Sequence, residues 1–539
     1  MHPARGVAAR FPARQFAKSQ QGRRLTDPAA SLHTTRRLAR NGALNVLGLA
    51  IPPLAALLAI PILVSGLGVE RFGLLALAWM AIGYFSLFDL GLGRALTQLV
   101  AQKSADGRDD ELPALIWTGS ALMLLLGLVG GGVLIVIAPW LVRDALNVPT
   151  PLESEAVLAF QLLGTALPWV VGIAGLRGVL EARQEFGAVN AVRVPMGILS
   201  FLGPLAVLPF TNNLAAVVAV LVVLRLVGWF VHLALCLRSV PVLRRQLRVD
   251  RRVVLPLLRF GGWMTVSNVV SPIMVSFDRF LIGAVISVAA VSYYATPYEA
   301  ATRLLLVPVA LMGVLFPAFA AVGTKERARL GRLFEGAVRV MVLLMFPIAL
   351  VVVALAREGL TLWLGSTFAV ESWRVLQWLV LGVFLNSLGH IPFSVIQGIG
   401  RPDVTAKLHL LELPIFLALI WNLTARLGIE GAAMAWTARV SVDALLLFWL
   451  AARLEPAGRH ALRTAGRLVL PAVVVLGFAF VPLGAIEKGV FLLIVGGGFS
   501  SYGWRRIVLP SEREVLVSGL RRRLSVLARE ASALSATLR

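Results

Sequence analysis

Long apolar blocks alternate with short polar breaks along this chain. The blocks, rich in Leu, Val, Ala, Ile and Phe, are each about as long as the 20 residues that carry a helix across a 30 Å hydrocarbon core. Inside such a core every backbone N–H and C=O has to be satisfied within the segment, so blocks of this length predict helices rather than strands. Fourteen spans are predicted, at 43–66, 72–98, 114–140, 155–180, 190–210, 214–237, 260–286, 290–322, 336–356, 373–398, 407–425, 430–452, 467–486 and 489–504. The expected fold is an all-α polytopic membrane protein.

The blocks also repeat. When the second half is slid back by about 219 positions, residues 266–300 fall on 47–81 without a gap, with Pro272 on Pro53, Val288 on Val69 and Ala295 on Ala76. At a shift of 218, Arg401 meets Arg183. This spacing predicts two six-helix lobes, 43–237 and 260–452, joined by a basic linker at 238–259 and followed by two extra helices within 467–504. Six crossings return the chain to its starting side, so the lobes are parallel copies about an axis along the membrane normal, with a central cavity between them.

Composition agrees with this class: 58% of residues are hydrophobic, 15% are charged and the mean hydropathy is +0.83. The net charge of +23 is explained by topology. If the N-terminus is cytoplasmic, 41 of the 51 Lys and Arg lie on the inner side and five outside: Arg71, Arg143, Arg357, Arg426 and Lys488. The asymmetry predicts both termini in the cytoplasm and a multi-pass protein of the inner (plasma) membrane, whose anionic lipids attract the basic loops. No soluble module long enough to gather the charge on a nucleic acid exists, so no nucleic-acid partner is expected. Residues 1–42, Arg-rich and nearly free of acids, suit a basic cytoplasmic tail, with an organelle-targeting peptide as the competing reading. Residues 510–539 predict an amphipathic helix: Pro510, Ser511 and Glu514 form its start, and Leu520, Leu524, Leu527, Ala531, Leu534 and Leu538 its apolar stripe. With Arg521, Arg522, Arg523 and Arg529 beside that stripe it suits the cytoplasmic membrane surface, or else a short coiled coil.

Signals for an enzyme are sparse. There is no GxxxxGK[ST] phosphate loop, the lone Cys236 excludes an internal disulfide, and the six histidines lack metal-ligand spacing. No catalytic residue, metal or cofactor is expected. The acidic run Asp106, Asp109, Asp110 and Glu111 reads as a solvated loop rather than a metal or sugar-nucleotide site. Short outer loops leave no room for an external catalytic domain, although an intramembrane glycosyltransferase or ligase stays open as an alternative.

Charges inside spans cost about 2.5 to 3.5 kcal/mol each on insertion scales, so those present are candidates for function. Asp278 and Arg279 in the seventh span and Glu299 in the eighth fall at one depth, with Arg303 a turn deeper, and Glu299 and Arg303 form an i,i+4 pair in the favourable order. Tyr293, Tyr294 and Tyr298 fall within six residues of Glu299. Hydroxyls, aromatic faces and guanidinium forks suit sugars beside a phosphate, and an ion-pair network tying two spans together is the structural alternative. Arg225 in the sixth span maps onto Asp443 in the twelfth, and Asp443 follows Arg439 by four. Both positions are expected to face the cavity or to close one face of it by a salt bridge. Asp89 and Arg94, at the inner end of the second span, are candidate inner-gate residues.

The stretch from Asn45 to Ala101, with an LG-x-E-x-[FY]-G turn at Leu67, Gly68, Glu70, Phe72 and Gly73 and a DLGLGRA end at 89–95, resembles the opening helices of bacterial O-antigen and polysaccharide flippases. FGGWMTVSNVV, DRFLIG at 278–283 and LGIEGAAMAWTAR at 427–439 are similar to that family's seventh, eighth and twelfth helices. These proteins belong to the multidrug, oligosaccharidyl-lipid and polysaccharide exporter superfamily, built as two lobes around a V-shaped cavity. The resemblance implies movement of an undecaprenyl-diphosphate-linked oligosaccharide from the inner to the outer leaflet by alternating access, without ATP hydrolysis in this chain. It also implies a lipid-linked glycan as substrate, membrane lipids as neighbours and polysaccharide polymerase or ligase machinery as partners. Peptidoglycan-precursor flippases of the superfamily carry an arginine in the first helix, whereas 43–66 contains no charge, which disfavours lipid II. An ion-coupled multidrug or cation antiporter is the nearest rival, with Asp278, Glu299 or Asp443 as its coupling carboxylate.

Overall fold

The computed structural model describes residues 51–85, 89, 91–255, 257, 277–322, 326–456 and 458–507. Among them there is no strand, and nine helices are long and apolar enough to cross a membrane. The basic tail at 1–42, the start of the first span, residues 260–276 of the seventh and the amphipathic helix at 510–539 lie outside the described residues.

The first half comprises α1 (Ile51–Leu67), α2 (Val69–Phe85), α3 (Leu92–Ala105), α4 (Leu112–Trp140), α5 (Thr150–Ala182), α6 (Phe186–Val207) and α7 (Leu214–Ser239). The second comprises α8 (277–285), α9 (Val288–Arg303), α10 (Leu306–Val322), α11 (Arg327–Ala354), α12 (Ala356–Leu364), α13 (Ser366–Gly398) and α14 (Pro402–Leu454). Two further helices, α15 (Gly458–Phe478) and α16 (Ala485–Tyr502), pack on α11. Each half is organised around one helix of 33 residues: α5 touches α2, α3, α4, α6 and α7, and α13 touches α9, α10, α11, α12 and α14. Small residues let these backbones approach. A Cβ on Gly131 of α4 would lie 2.3 Å from the carbonyl oxygen of Gly164 in α5.

Helix α14 is two arms in one. Gly428 sits in its middle with φ 63° and ψ −145°, a conformation open to glycine, and the chain folds back so that His409 of the first arm meets Asp443 of the second. Two of the expected spans are broken. The second divides into α2 and α3, because the Asp89 carboxylate accepts hydrogen bonds from the N–H groups of Gly91 (2.9 Å) and Gly93 (3.0 Å) and caps a new helix entered through Gly91 at φ 73°. The eighth divides at Leu304 and Leu305, since Pro308 has no N–H to offer the Leu304 carbonyl four residues back.

Among the described residues, the hydrogen bonds joining the halves gather at one end, called here the closed end. Asn147 donates its N–H to the Gly283 carbonyl (2.9 Å) and its side-chain amide to that of Ala284 (2.8 Å). Ser292 donates to the Val69 carbonyl, and the Trp363 indole to that of Leu57 (2.7 Å). Gly73 of α2 lies against Val288 of α9 so closely that a Cβ would sit 1.8 Å from its carbonyl oxygen. One cluster of buried apolar residues joins both halves and continues along the second half as far as Leu330, Leu408 and Ala461, and a separate one gathers Leu92, Leu96, Met123 and Val179 of the first half with Leu243 and Leu257 of the linker.

Candidate functional site

Asp278 and Arg279 lie on α8 about two turns before its end, and Glu299 and Arg303 lie on the last turns of α9, so the short connection through Ile286 and Ser287 folds the four charges against one another. The Ser287 hydroxyl accepts the N–H of Ala290 at 3.1 Å and fixes where α9 begins. Arg279, buried, reaches across to Glu299 (Nη2 to Oε1, 3.4 Å), and Glu299 holds Arg303 through its other oxygen (2.5 Å). Asp278 accepts the Tyr294 hydroxyl (2.7 Å) and the N–H of Arg279 (2.8 Å). The guanidinium of Arg279 lies 4.4 Å over the Tyr298 ring, which stacks on Tyr294 and meets the edge of Trp436 at 5.9 Å. Exposure rises along the chain of charges: the Arg279 side chain is 8% exposed and that of Arg303 36%, so the cluster runs from the protein interior to an open surface.

Helix α14 extends the assembly. Arg439 lies over the Phe416 ring at 5.3 Å, within electrostatic reach of Asp278 and Tyr298. One turn on, Asp443 faces His409 (Oδ1 to Nε2, 3.5 Å) and Glu412. The structure thus brings together Asp278, Arg279, Tyr298, Glu299, Arg303, Arg439 and Asp443. Arg439 turns to Phe416 rather than pairing with Asp443 four residues away. Arg225, Asp89 and Arg94 lie in the first half. There Arg225 donates to the Ser200 hydroxyl (3.2 Å), whose residue's carbonyl also accepts the Trp79 indole N–H (3.2 Å), so repeat-equivalent Arg225 and Asp443 have unlike surroundings. Asp89 spends both oxygens on capping α3, while Arg94 is exposed beside it.

Three groups escaped the reading of the sequence. Arg177 on α5 lies within electrostatic reach of Asp89, Arg193 of α6 and His232 of α7, giving the first half its own basic cluster. Arg177 and Arg193 lie at the inner ends of the spans at 155–180 and 190–210, where they count as inner-side charge, and Glu412 is an acid inside the span at 407–425. The loop acids behave as expected of a solvated run: Lys103 and Arg108 clamp the Glu111 carboxylate and hold it below its usual range.

Residues 38–322 match the family model described as polysaccharide biosynthesis protein. The chain belongs to that family. A Shigella flexneri protein named as an O-antigen transporter is 32% identical over 427 residues, covering 77% of this chain and 98% of its own length. The lipopolysaccharide biosynthesis protein WzxC of Escherichia coli (strain K12) is 24% identical over 400 residues, 70% of this chain and 72% of its own. Two of the solved structures that share the fold serve for comparison. One is the inward-facing conformation of a multidrug resistance MATE family transporter of the MOP superfamily (TM-score 0.65, 15% identity, 77% of this chain and 99% of that one). The other is the lipid II flippase MurJ in an inward closed conformation (TM-score 0.64, 14% identity, 86% and 99%). The family member described here is thus a multi-pass membrane protein of the MOP fold.

Proposed function

We propose that this chain is a flippase that carries an undecaprenyl-diphosphate-linked oligosaccharide from the inner to the outer leaflet for surface polysaccharide synthesis. The observation that carries this reading is the arginine and aromatic assembly of Arg279, Arg303 and Arg439 with Tyr294, Tyr298 and Trp436, set among apolar helices. Arg303, the most exposed of these, presents a planar donor fork to phosphate oxygens, while buried Arg279, Tyr294, Tyr298 and Trp436 pack behind it and hold the Glu299 to Arg303 pair in place. The names of the relatives, an O-antigen transporter and a lipopolysaccharide biosynthesis protein, support the same substrate class.

The lobes at 43–237 and 260–452 rock about the linker at 238–259, and the closed end opens as the opposite end shuts. Basic-residue asymmetry sets the closed end outside, both termini in the cytoplasm and the protein in the inner membrane, so the conformation described opens inward. Sugars and diphosphate cross through the wet cleft while the prenyl chain stays in lipid at the gap between lobes. Arg94, Arg177 and Arg193 meet the diphosphate on entry, and polymerase or ligase machinery takes the glycan at the outer leaflet. No bond of the glycan is made or broken by this chain.

Removal of the protein tests the proposal. A lipid-linked glycan should accumulate on the inner leaflet and surface polysaccharide should fall. Normal surface polysaccharide without accumulation would refute it.

A further inference from the structure

Glu412 on the first arm of α14 is 6% exposed, and neither of its carboxylate oxygens has a hydrogen-bond partner. Asp443 on the returning arm is 8% exposed, with Oδ1 in the same condition. A ligand atom from each of these two and from His409 lies within 4.8 Å of the others. Buried polar atoms are nearly always paired, and two carboxylates at this spacing do not both stay ionised in a low-dielectric site.

The surroundings give the sign of what is needed. From α13, His390 faces Asp443, and Phe393 stacks on the His409 ring at 6.1 Å. From α14 itself Arg439 approaches, and beyond it stand Asp278, Arg279, Glu299 and Arg303 of α8 and α9. Across this assembly four carboxylates face three guanidinium groups, so one unit of positive charge restores neutrality among apolar helices. The pair can hydrogen-bond to each other, and that bond requires a proton between them. Side-chain exposure falls from 34% at His409 to 12% at Asp443, and Glu412 is buried beside them.

We infer that Glu412 and Asp443 hold one exchangeable proton between them, delivered through His409, and that this pair is the proton-binding site of the transporter. His409 takes a proton from water on one ring nitrogen and releases the one on Nε2 to Asp443, returning to the neutral ring. Glu412 then accepts the hydrogen bond from the protonated Asp443, or exchanges roles with it.

Infrared difference spectroscopy of the full chain in lipid nanodiscs, stepped between about pH 5 and about pH 8, reads the site directly through the C=O band of a protonated carboxyl. No glycan is required, so the result is separable from failure of the flippase reading. The wild type should show a band that exchanges with pH and ignores replacement of potassium by sodium, and Glu412→Gln should lose it. His409→Gln, at a partly exposed position, should keep the amplitude and slow the response to a pH jump by about tenfold or more. A wild type without the band, a band unchanged in Glu412→Gln, a band removed by sodium at constant pH, or an unchanged rate in His409→Gln would each overturn the inference.

Discussion

Gly73 lies directly in the contact between the two halves, and adding one methyl group there should hold the closed end open. In the conformation described, a Cβ on Gly73 would lie 1.8 Å from the Val288 carbonyl oxygen and 3.0 Å from the Ser292 hydroxyl, where an ordinary contact begins at 3.4 Å. Helices α2 and α9 would therefore have to part by about 1.6 Å, more than a close-packed interface absorbs. Parting them strains the hydrogen bonds from Ser292 to Val69 and from Asn147 to Gly283 and Ala284. At about 1 kcal/mol for each of the bonds lost, the closed end is weakened by roughly 2 to 3 kcal/mol, a shift of about 30- to 150-fold in the equilibrium between conformations. The helix itself gains, since Ala is favoured over Gly in a helix interior by about 1 kcal/mol, so Gly73→Ala should fold and insert normally. Spin labels on cysteines at Glu70 and Ala284, both exposed at the closed end, report the separation by pulsed dipolar spectroscopy, and native Cys236 is fully buried. The distance distribution should move from a short to a long population in Gly73→Ala. An unchanged distribution at normal abundance would show that this contact does not gate the cavity.

Three further outcomes are expected. The Arg303 to Glu299 pair is partly exposed and of the i,i+4 kind, worth about 0.5 kcal/mol, so Arg303→Ala should leave abundance and insertion intact while abolishing glycan export, and Arg303→Lys should be partly active; normal export by Arg303→Ala would make the residue idle. Asp278 is engaged by the Tyr294 hydroxyl and the Arg279 N–H, so Asp278→Asn should slow opening and closing while an imposed pH gradient changes flipping by the same factor as in wild type; a gradient response lost in the mutant would return the coupling role to Asp278. Cysteines at Ser19 and Ser535 should both be shielded from membrane-impermeant thiol reagents in intact cells, and labelling of either would overturn the topology drawn from the 41 inner-side basic residues.

Where length of apolar sequence is the physical determinant, the chain reads accurately: the run at 114–140 becomes Leu112–Trp140, and 214–237 becomes Leu214–Ser239. Where a helix stops for a local reason inside an apolar run, hydropathy is silent. The cap at Asp89 and the missing donor at Pro308 are single-residue chemistry, visible only when the backbone bonds are followed one by one. The pairing of Glu299 with Arg303 was legible because helical spacing alone brings them together, and that of Arg279 with Glu299 because both lie near one short connection. Glu412 meeting Asp443 depends on the fold-back at Gly428, and Arg177 meeting Arg193 on how α5 and α6 pack, and neither contact is written in spacing along one helix.

The central claim is that this chain moves a lipid-linked glycan between leaflets. Purified protein reconstituted into liposomes containing an undecaprenyl-diphosphate-linked oligosaccharide on both leaflets tests it most directly, with an impermeant glycosidase cutting what reaches the outer surface. In protein-free vesicles cleavage should stop at the outer pool, about half of the total, and in vesicles holding the wild type it should run toward completion. Arg303→Ala vesicles should stop where the protein-free ones do. Cleavage that halts at the outer pool with well-inserted wild-type protein would contradict the account.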